Sequence, residues 1–365
     1  MTSETRAVGE RTLVVRFGRL GDMLVVTPAL RAIRRAAPDA RVDVLTSHDG
    51  RTVLARNPHV HALHVLRARR VPRAINIERL RLEARLRAIG FDSVFLLEGA
   101  HRYRDLVRRL RAPRVYTFAL AGETADAFHA PRGDGHELHN FFAVLALAGI
   151  APDGEQYDFS LPDPARARAR TLLEAAGLRG PSIGPSPAPT GTLVGVHAGF
   201  HRRRLRRRTH PKAWPLERWS RVIVQLAERT GSRFVLTGSQ RERALNDRII
   251  AGLPSGLAHN MAGETDIETL AAIIDQCDVF IAPDTGPAHL AAAVGTPVVA
   301  LFGPKPPHIM GPRGDERIIA RLYAEPSAAD ERERQGHHPR MWALQAEDVV
   351  DAAVALLECA APRPV

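Results

Sequence analysis

The sequence contains only two cysteines in 365 residues, Cys277 and Cys359, too few for a disulfide framework or a thiolate metal site. It also lacks an apolar run long enough to span a bilayer, since the stretches at 141–150 and 290–302 are short or interrupted. The beginning of the sequence carries acidic residues and no apolar segment typical of a secretory signal. We therefore expect a soluble, cytoplasmic protein.

Lysine is nearly missing as well. Lys212 and Lys305 are the only lysines among 51 basic residues, and the formal net charge is +11. A basic surface attracts polyanions such as nucleic acid, anionic lipid or phosphorylated sugars, but charge alone does not choose among them. Aromatic residues make up only 5% of the chain and the arginines are dispersed, so we expect no nucleic-acid partner. A lysine kept in so arginine-rich a chain is a candidate for a special role.

Several motifs that define catalytic classes are absent. No two aspartates have the D-x-D spacing of metal-dependent nucleotide-sugar sites. The chain also has no GxxxxGK[ST] loop, no HExxH and no CxxC pair, and its sixteen histidines are scattered. We therefore expect neither a metal ion nor a cofactor.

The length predicts two domains, at about 150 residues per domain. Short β-branched runs alternate with helical patterns in both halves, which is typical of parallel α/β units. Residues 177–191 contain four prolines and four glycines and are predicted to be a linker. The expected order is a first domain at 1–176, the linker at 177–191, a second domain at 192–345, and a C-terminal helix and tail at 346–365.

A glycine-rich loop follows the first predicted strand, at 12–16. Gly18 and Gly21 allow a tight turn and the close approach of a ligand. Asp22, at the carboxyl end of that strand, is a candidate general base. The alternative is that Asp22 only caps the following helix.

A second candidate lies between a predicted strand at 278–282 and a helix at 287–294. Asp284, Thr285, Gly286 and His289 cluster at the start of this helix, where free N–H groups and the helix dipole favour an anion. The alternative is an ordinary N-cap made by Asp284 or Thr285, with His289 buried.

Two further segments carry candidates for nucleotide binding. Lys212 precedes a predicted helix at 216–229, and its ammonium suits a phosphate. The alternative is a solvent-exposed lysine, with Trp214 and Pro215 fixing the start of the helix. Gly238 and Glu242 follow the predicted strand at 233–237, where a carboxylate can bind ribose hydroxyls or simply favour the helix dipole.

Together these segments resemble glycosyltransferase family 9, the ADP-heptose:lipopolysaccharide heptosyltransferases. The likeness runs from about residue 12 to 357 and is carried by residues 16–23, 27–30, 57–60, 212–219, 238–242, 283–289 and 295–304. The resemblance implies an α/β GT-B fold, in which two Rossmann-like, doubly wound domains face a central cleft. It places the acceptor in the first domain and the nucleotide sugar in the second.

The resemblance also implies an inverting, metal-independent transfer of heptose from ADP-heptose to a hydroxyl of a lipopolysaccharide core or related glycan. Asp22 matches the base and Lys212 the catalytic residue that contacts the phosphates, while Gly18 and Gly21 form the acceptor-side loop. The donor-binding residues implied are Thr209, Gly238, Glu242, Asp284, Thr285, Gly286 and His289.

One segment departs from the family pattern. Where small hydroxyl residues are expected before the lysine, this chain has Arg206, Arg207 and Arg208, with only Thr209 hydroxylated. The run Arg202 to Arg208 is either a solvated loop or a contact for an acidic acceptor.

The partners expected are an ADP-sugar donor, a phosphorylated or acidic glycan or lipid acceptor, and the inner membrane as a peripheral contact. The first alternative is a family 9 enzyme that uses another nucleotide sugar for a different glycan or secondary metabolite. The remote alternative is a basic nucleic-acid-binding protein.

Overall fold

A computed structural model describes residues 8–67, 75–98, 101–119, 129–179, 191–199, 210–333 and 336–359. The chain divides into two compact units, Met1–Ser160 and Leu161–Val365. Each unit is built around its own parallel sheet.

The first unit has a six-stranded sheet made of short, buried strands. These strands are β1 (Arg11–Val15), β2 (Arg41–Thr46), β3 (Ala62–Val65), β4 (Ser93–Leu96), β5 (Arg114–Phe118) and β6 (His129–Ala130). The apolar residues of the central strands β1, β2 and β4 are buried on both faces, as expected of a parallel sheet covered by helices. The helices are α1 (Leu20–Val25), α2 (Thr27–Ala36), α3 (His48–Leu54), α4 (Ile77–Ile89), α5 (His101–Leu110) and α6 (Glu137–Ala146).

The second unit begins with a helix and has a second six-stranded sheet. The strands are β7 (Leu193–Val196), β8 (Arg233–Leu236), β9 (Ala258–Asn260), β10 (Val279–Pro283), β11 (Val298–Leu301) and β12 (Ile319–Leu322). The helices are α7 (Asp163–Ala175), α8 (Leu216–Thr230), α9 (Arg243–Ile250), α10 (Ile267–Asp275), α11 (Gly286–Ala293), α12 (Pro307–Met310), α13 (Ala328–Glu333), α14 (Pro339–Ala343) and α15 (Ala346–Cys359).

Both sheets have the same strand order. The first runs β3-β2-β1-β4-β5-β6 and the second runs β9-β8-β7-β10-β11-β12, with every strand pair parallel. This is the doubly wound order, in which the chain reverses direction across the sheet between its first and fourth strands. The predicted architecture of two doubly wound α/β domains is confirmed. Ligand-binding residues are expected at the carboxyl ends of β1 and β4, and of β7 and β10.

The two units divide earlier in the chain than the predicted linker. Helix α7 belongs to the second unit because Ala169 and Leu173 are buried in a cluster with Leu193 and Ile273, from β7 and α10. The segment rich in proline and glycine, at 177–191, follows this helix and connects it to β7. Most of that segment, 180–190, lies outside the described residues.

None of the helices in the described ranges combines the length and the apolar character needed to cross a bilayer.

Close packing around Gly195, in β7, allows a test of how the core of the second unit is packed. A Cβ atom added at Gly195 would lie 2.4 Å from Cδ2 of Phe280 and 2.9 Å from Sγ of Cys277. Because Phe280 is fully buried, we expect Gly195→Ala to lower the free energy of unfolding by about 1–3 kcal/mol through overpacking. Urea unfolding measures the change.

Gly252→Ala is the matched control for this substitution. Gly252 has no neighbour within 4 Å of an added Cβ and does not have a positive φ. The urea midpoint of Gly252→Ala should remain close to that of the wild type. An equal decrease in the free energy of unfolding of both variants would contradict the packing argument.

Candidate functional site

The first polar cluster lies at the carboxyl end of β1. The predicted glycine loop is shorter than expected, because α1 begins at Leu20 and places Gly21 and Asp22 in its first turn. A Cβ atom at Gly18 would lie 2.3 Å from Cβ of Asp22. Only glycine therefore leaves room for the Asp22 side chain in this position.

Asp22 is anchored through one of its carboxylate oxygens. The backbone N–H of Arg19 donates to Oδ2 at 2.9 Å, so the capping interaction considered from the sequence is present. Oδ1 lies 3.8 Å from Nη2 of Arg16, which is too long for a hydrogen bond. The side chain is 36% exposed, so part of it is open to a ligand.

Arg16 is the buried cation of this cluster. Its Nη1 donates to the carbonyl of Leu97 at 2.9 Å and to Oε1 of Glu137 at 3.4 Å, and it lies 3.7 Å from Oε1 of Glu98. Arg132 also donates to both oxygens of Glu137, at 2.7 and 2.8 Å. Three carboxylates therefore lie around two guanidinium groups.

Glu98 lies two residues after the end of β4, beside the end of β1. The backbone N–H of Phe17 donates to its Oε1 at 2.6 Å. Burial raises the pKa of Glu98, while the charge of Arg16 and the Phe17 hydrogen bond oppose that increase. Sequence analysis did not single out Glu98 or Glu137. The available signal for Glu98 was its position two residues after a buried strand.

The second polar cluster brings Lys212 to the end of β10. Its Nζ lies 2.5 Å from Oδ2 of Asp284 and donates to the Asp284 carbonyl at 3.0 Å. Lys212 is 28% exposed and the Asp284 side chain is buried. The alternative of a freely solvated lysine is therefore wrong, because this ammonium is held against the predicted donor loop.

Local packing fixes the segment that carries Lys212. Trp214 precedes α8, whose N-cap is Pro215, and its ring packs edge-on against Trp219 with centroids 4.9 Å apart. This pair occupies the two positions of a hydrophobic staple. The indole of Trp214 also donates to the carbonyl of Leu344 at 3.2 Å. The predicted role of Trp214 and Pro215 at the helix start is confirmed.

The helix α11 begins immediately after Asp284. Thr285 is its N-cap, but the hydroxyl donates to the carbonyl of Pro283 at 2.9 Å and does not cap the helix. In the first turn Pro287 has no N–H and the Ala288 N–H donates to the Thr285 carbonyl at 3.1 Å, so the N–H groups of Thr285 and Gly286 are the candidates for an anion. His289 is buried in the same helix, as the alternative interpretation expected.

The loop after β8 carries Gly238 and Glu242. Oε2 of Glu242 accepts from the backbone N–H and the hydroxyl of Ser239, at 2.7 and 2.8 Å. A Cβ at Gly238 would lie 3.2 Å from Cβ of Glu242, so the two residues are closely packed. The carboxylate is thus held at the start of the turn Gln240–Glu242, and that turn leads into α9.

His197 was not among the residues predicted from the sequence. The structure buries it at the carboxyl end of β7, where Nδ1 lies 3.4 Å from the hydroxyl of Thr237. Burial lowers the pKa of His197, while the negative charge of Glu242 opposes that decrease. A neutral imidazole therefore lies near the predicted ribose-binding carboxylate.

The remaining predicted residues lie together, in the segment that contains the arginine run. Thr209, Arg206, Arg207 and Arg208 lie outside the described residues, so their roles stay predictions. Across the described ranges, no group of three or more histidine, cysteine, aspartate or glutamate side chains is arranged to hold a metal ion.

Comparison with known proteins identifies the family. Residues 79–339 match the model of glycosyltransferase family 9 (heptosyltransferase). The chain is 29% identical over 354 residues to lipopolysaccharide heptosyltransferase 3 of Escherichia coli K12, covering 94% of this chain and 96% of that protein.

Solved structures share the fold. A family 9 glycosyltransferase from Veillonella parvula superposes with a TM-score of 0.78 and 22% identity, covering 97% of this chain and 98% of that one. The E. coli heptosyltransferase WaaC, solved with ADP-2-deoxy-2-fluoro heptose, gives a TM-score of 0.66 and 21% identity, with coverage of 93% and 98%. The predicted GT-B fold class is confirmed by these likenesses. The family match spans well over half of the chain, and the protein therefore belongs to glycosyltransferase family 9 and is a glycosyltransferase.

Proposed function

We propose that this enzyme transfers heptose from ADP-heptose to a hydroxyl of a lipopolysaccharide core or related glycan, with inversion and without a metal ion. The observation that carries this proposal is that, in a family 9 chain, the candidate base lies in the first unit and the candidate phosphate-binding groups lie in the second. Asp22, a partly exposed carboxylate, lies where the chain reverses direction across the first sheet. Lys212 lies at the corresponding place in the second sheet, beside a helix N-terminus that has no side-chain cap.

The second unit is proposed to bind the donor. A diphosphate would accept hydrogen bonds from the N-terminal N–H groups of α11, at Thr285 and Gly286, and would replace Asp284 as a partner of Lys212. Glu242 would accept hydrogen bonds from the ribose hydroxyls. Cationic and backbone groups would thus stabilise the negative charge of the departing diphosphate, which supports transfer without a metal ion.

The two lysines of the chain allow a matched test of the donor site. We expect Lys212→Met to weaken ADP binding about tenfold or more and to lower kcat, because a desolvated charge-assisted contact with the phosphates is lost. Lys305→Met, at an exposed lysine, should change neither. Calorimetry with ADP and turnover with ADP-heptose measure the two effects, and equal behaviour of both variants would contradict the assignment.

The same assays test metal independence. Wild-type turnover should persist in excess EDTA, and added Mg²⁺ should not restore activity to Lys212→Met. Loss of wild-type turnover in EDTA with recovery on adding Mg²⁺ would overturn this leaving-group mechanism.

The first unit is proposed to supply the base. Inversion at the anomeric carbon requires a base for the acceptor hydroxyl on the face opposite the leaving diphosphate. Asp22 fits this role, because its Oδ2 is fixed by the Arg19 N–H and its side chain is partly exposed. A single carboxylate is sufficient for this displacement.

Replacing Asp22 by asparagine separates the base role from the capping role. The asparagine side chain keeps an oxygen for the Arg19 N–H but cannot take up the proton. We expect kcat of Asp22→Asn to fall by roughly 10²-fold or more, with ADP affinity and melting temperature nearly unchanged. Asp105→Asn, at an exposed aspartate of α5, is the control. Near-normal kcat in Asp22→Asn would reject the base assignment.

We also propose that the first unit contacts an anionic membrane surface, where a lipid-linked acceptor would be found. Ile77 at the start of α4 is 63% exposed, and Arg81 and Arg85 follow on the same face at helical spacing. The exposed positions of α4 carry three arginines against one glutamate, Glu78. An exposed apolar residue beside arginines is complementary to anionic headgroups over an acyl layer.

Vesicle sedimentation tests this face. The enzyme should bind phosphatidylglycerol vesicles and not phosphatidylcholine vesicles, and Ile77→Ser or Arg81→Gln should each weaken binding about fivefold, on the scale of one interfacial side chain. Arg317→Gln, at an exposed arginine of the second unit, is the control. Unchanged binding of both α4 variants would exclude this surface.

A further inference from the structure

We propose that Glu98 is a positioning residue for sugar transfer, acting on Asp22 through the guanidinium of Arg16. The inference rests on the proposed role of Asp22 as the base. It adds a residue that follows β4, whereas Asp22 follows β1. The two strands are neighbours at the switch point of the first sheet.

Arg16 connects the two carboxylates. Its Nη1 lies 3.7 Å from Oε1 of Glu98 and its Nη2 lies 3.8 Å from Oδ1 of Asp22. The guanidinium is fixed by its bond to the Leu97 carbonyl and by the ring of Phe141, 4.9 Å away. Because Arg16 is buried, its charge acts on both carboxylates with little screening by solvent.

Among the charged groups of the cluster, Glu98 is the carboxylate that shares the positive charge of Arg16 with Asp22. Glu137, at the start of α6, also contacts Arg16, but Arg132 neutralises it with two hydrogen bonds. After β4 the contributing charge is Glu98, and on α1 it is Asp22. Ionised Glu98 therefore offsets the positive charge that Asp22 experiences.

This charge balance matters for the proton transfer. Asp22 takes the proton of the acceptor hydroxyl as its oxygen bonds to the anomeric carbon, and the bond to the diphosphate breaks with its electron pair going to that leaving group. A negative charge near a base favours proton transfer to that base, and an uncompensated positive charge opposes it. Burial raises the pKa of Glu98, so its charge changes closer to neutral pH than that of an ordinary glutamate.

Glu98→Gln tests this role with little disturbance of the fold. Glutamine keeps the oxygen that accepts from the Phe17 N–H and removes only the charge. We expect kcat to fall about tenfold and the acidic limb of the kcat/KM profile to move to lower pH, because the charge of Arg16 beside the base is then less compensated. ADP affinity should not change. Glu155→Gln, at an exposed glutamate paired with His139, is the control.

A double-mutant cycle shows whether the effect passes through Asp22. In the Asp22→Asn background, Glu98→Gln should have no further effect on residual turnover, whereas a merely structural role would give additive losses. Additive losses or an unmoved acidic limb would overturn the proposal while leaving Asp22 as the base. Near-normal turnover of Asp22→Asn alone would instead reject the base assignment, and this inference with it.

Discussion

The strand order of the two sheets is the constraint on which the candidate site depends. In each sheet the first and fourth strands are neighbours, and the chain leaves them toward opposite faces. The space between these departing segments is where polar side chains can reach a ligand without disturbing the core. Asp22 and Glu98 occupy it in the first unit, and His197 and Asp284 occupy it in the second.

Buried charge at both switch points is balanced within the protein itself. Arg16 is surrounded by carboxylates, and Lys212 is paired with Asp284. Such pairing reduces the cost of holding an ion out of water, because an isolated buried charge would be strongly destabilising. A charged substrate group that binds at either place therefore replaces a protein group as the partner of a charge that is already there.

Most of the fold could be predicted from the sequence, because buried parallel strands are apolar runs bounded by turn residues. The strand predicted at 233–237 and the helix predicted at 216–229 are found at Arg233–Leu236 and Leu216–Thr230. The glycine loop was misjudged at Gly21 and Asp22, since a short helix gives little periodic signal. Lys212 stood out because lysine is rare, but its contact with Asp284 joins residues distant in sequence. Glu98 and Glu137 were not predicted, because their contacts with Arg16 also join residues distant in sequence. Each is locally an ordinary acidic residue.

The placement of α7 affects how the second unit can be separated from the first. Ala169 and Leu173 of this helix cover apolar residues of α10 and β7, including Ile273. A fragment cut within the proline-rich stretch would lose that cover and expose an apolar surface to water, which invites aggregation. A fragment that begins at Leu161 keeps the helix with its own core. The segment richest in turn residues is therefore the wrong place to divide this chain.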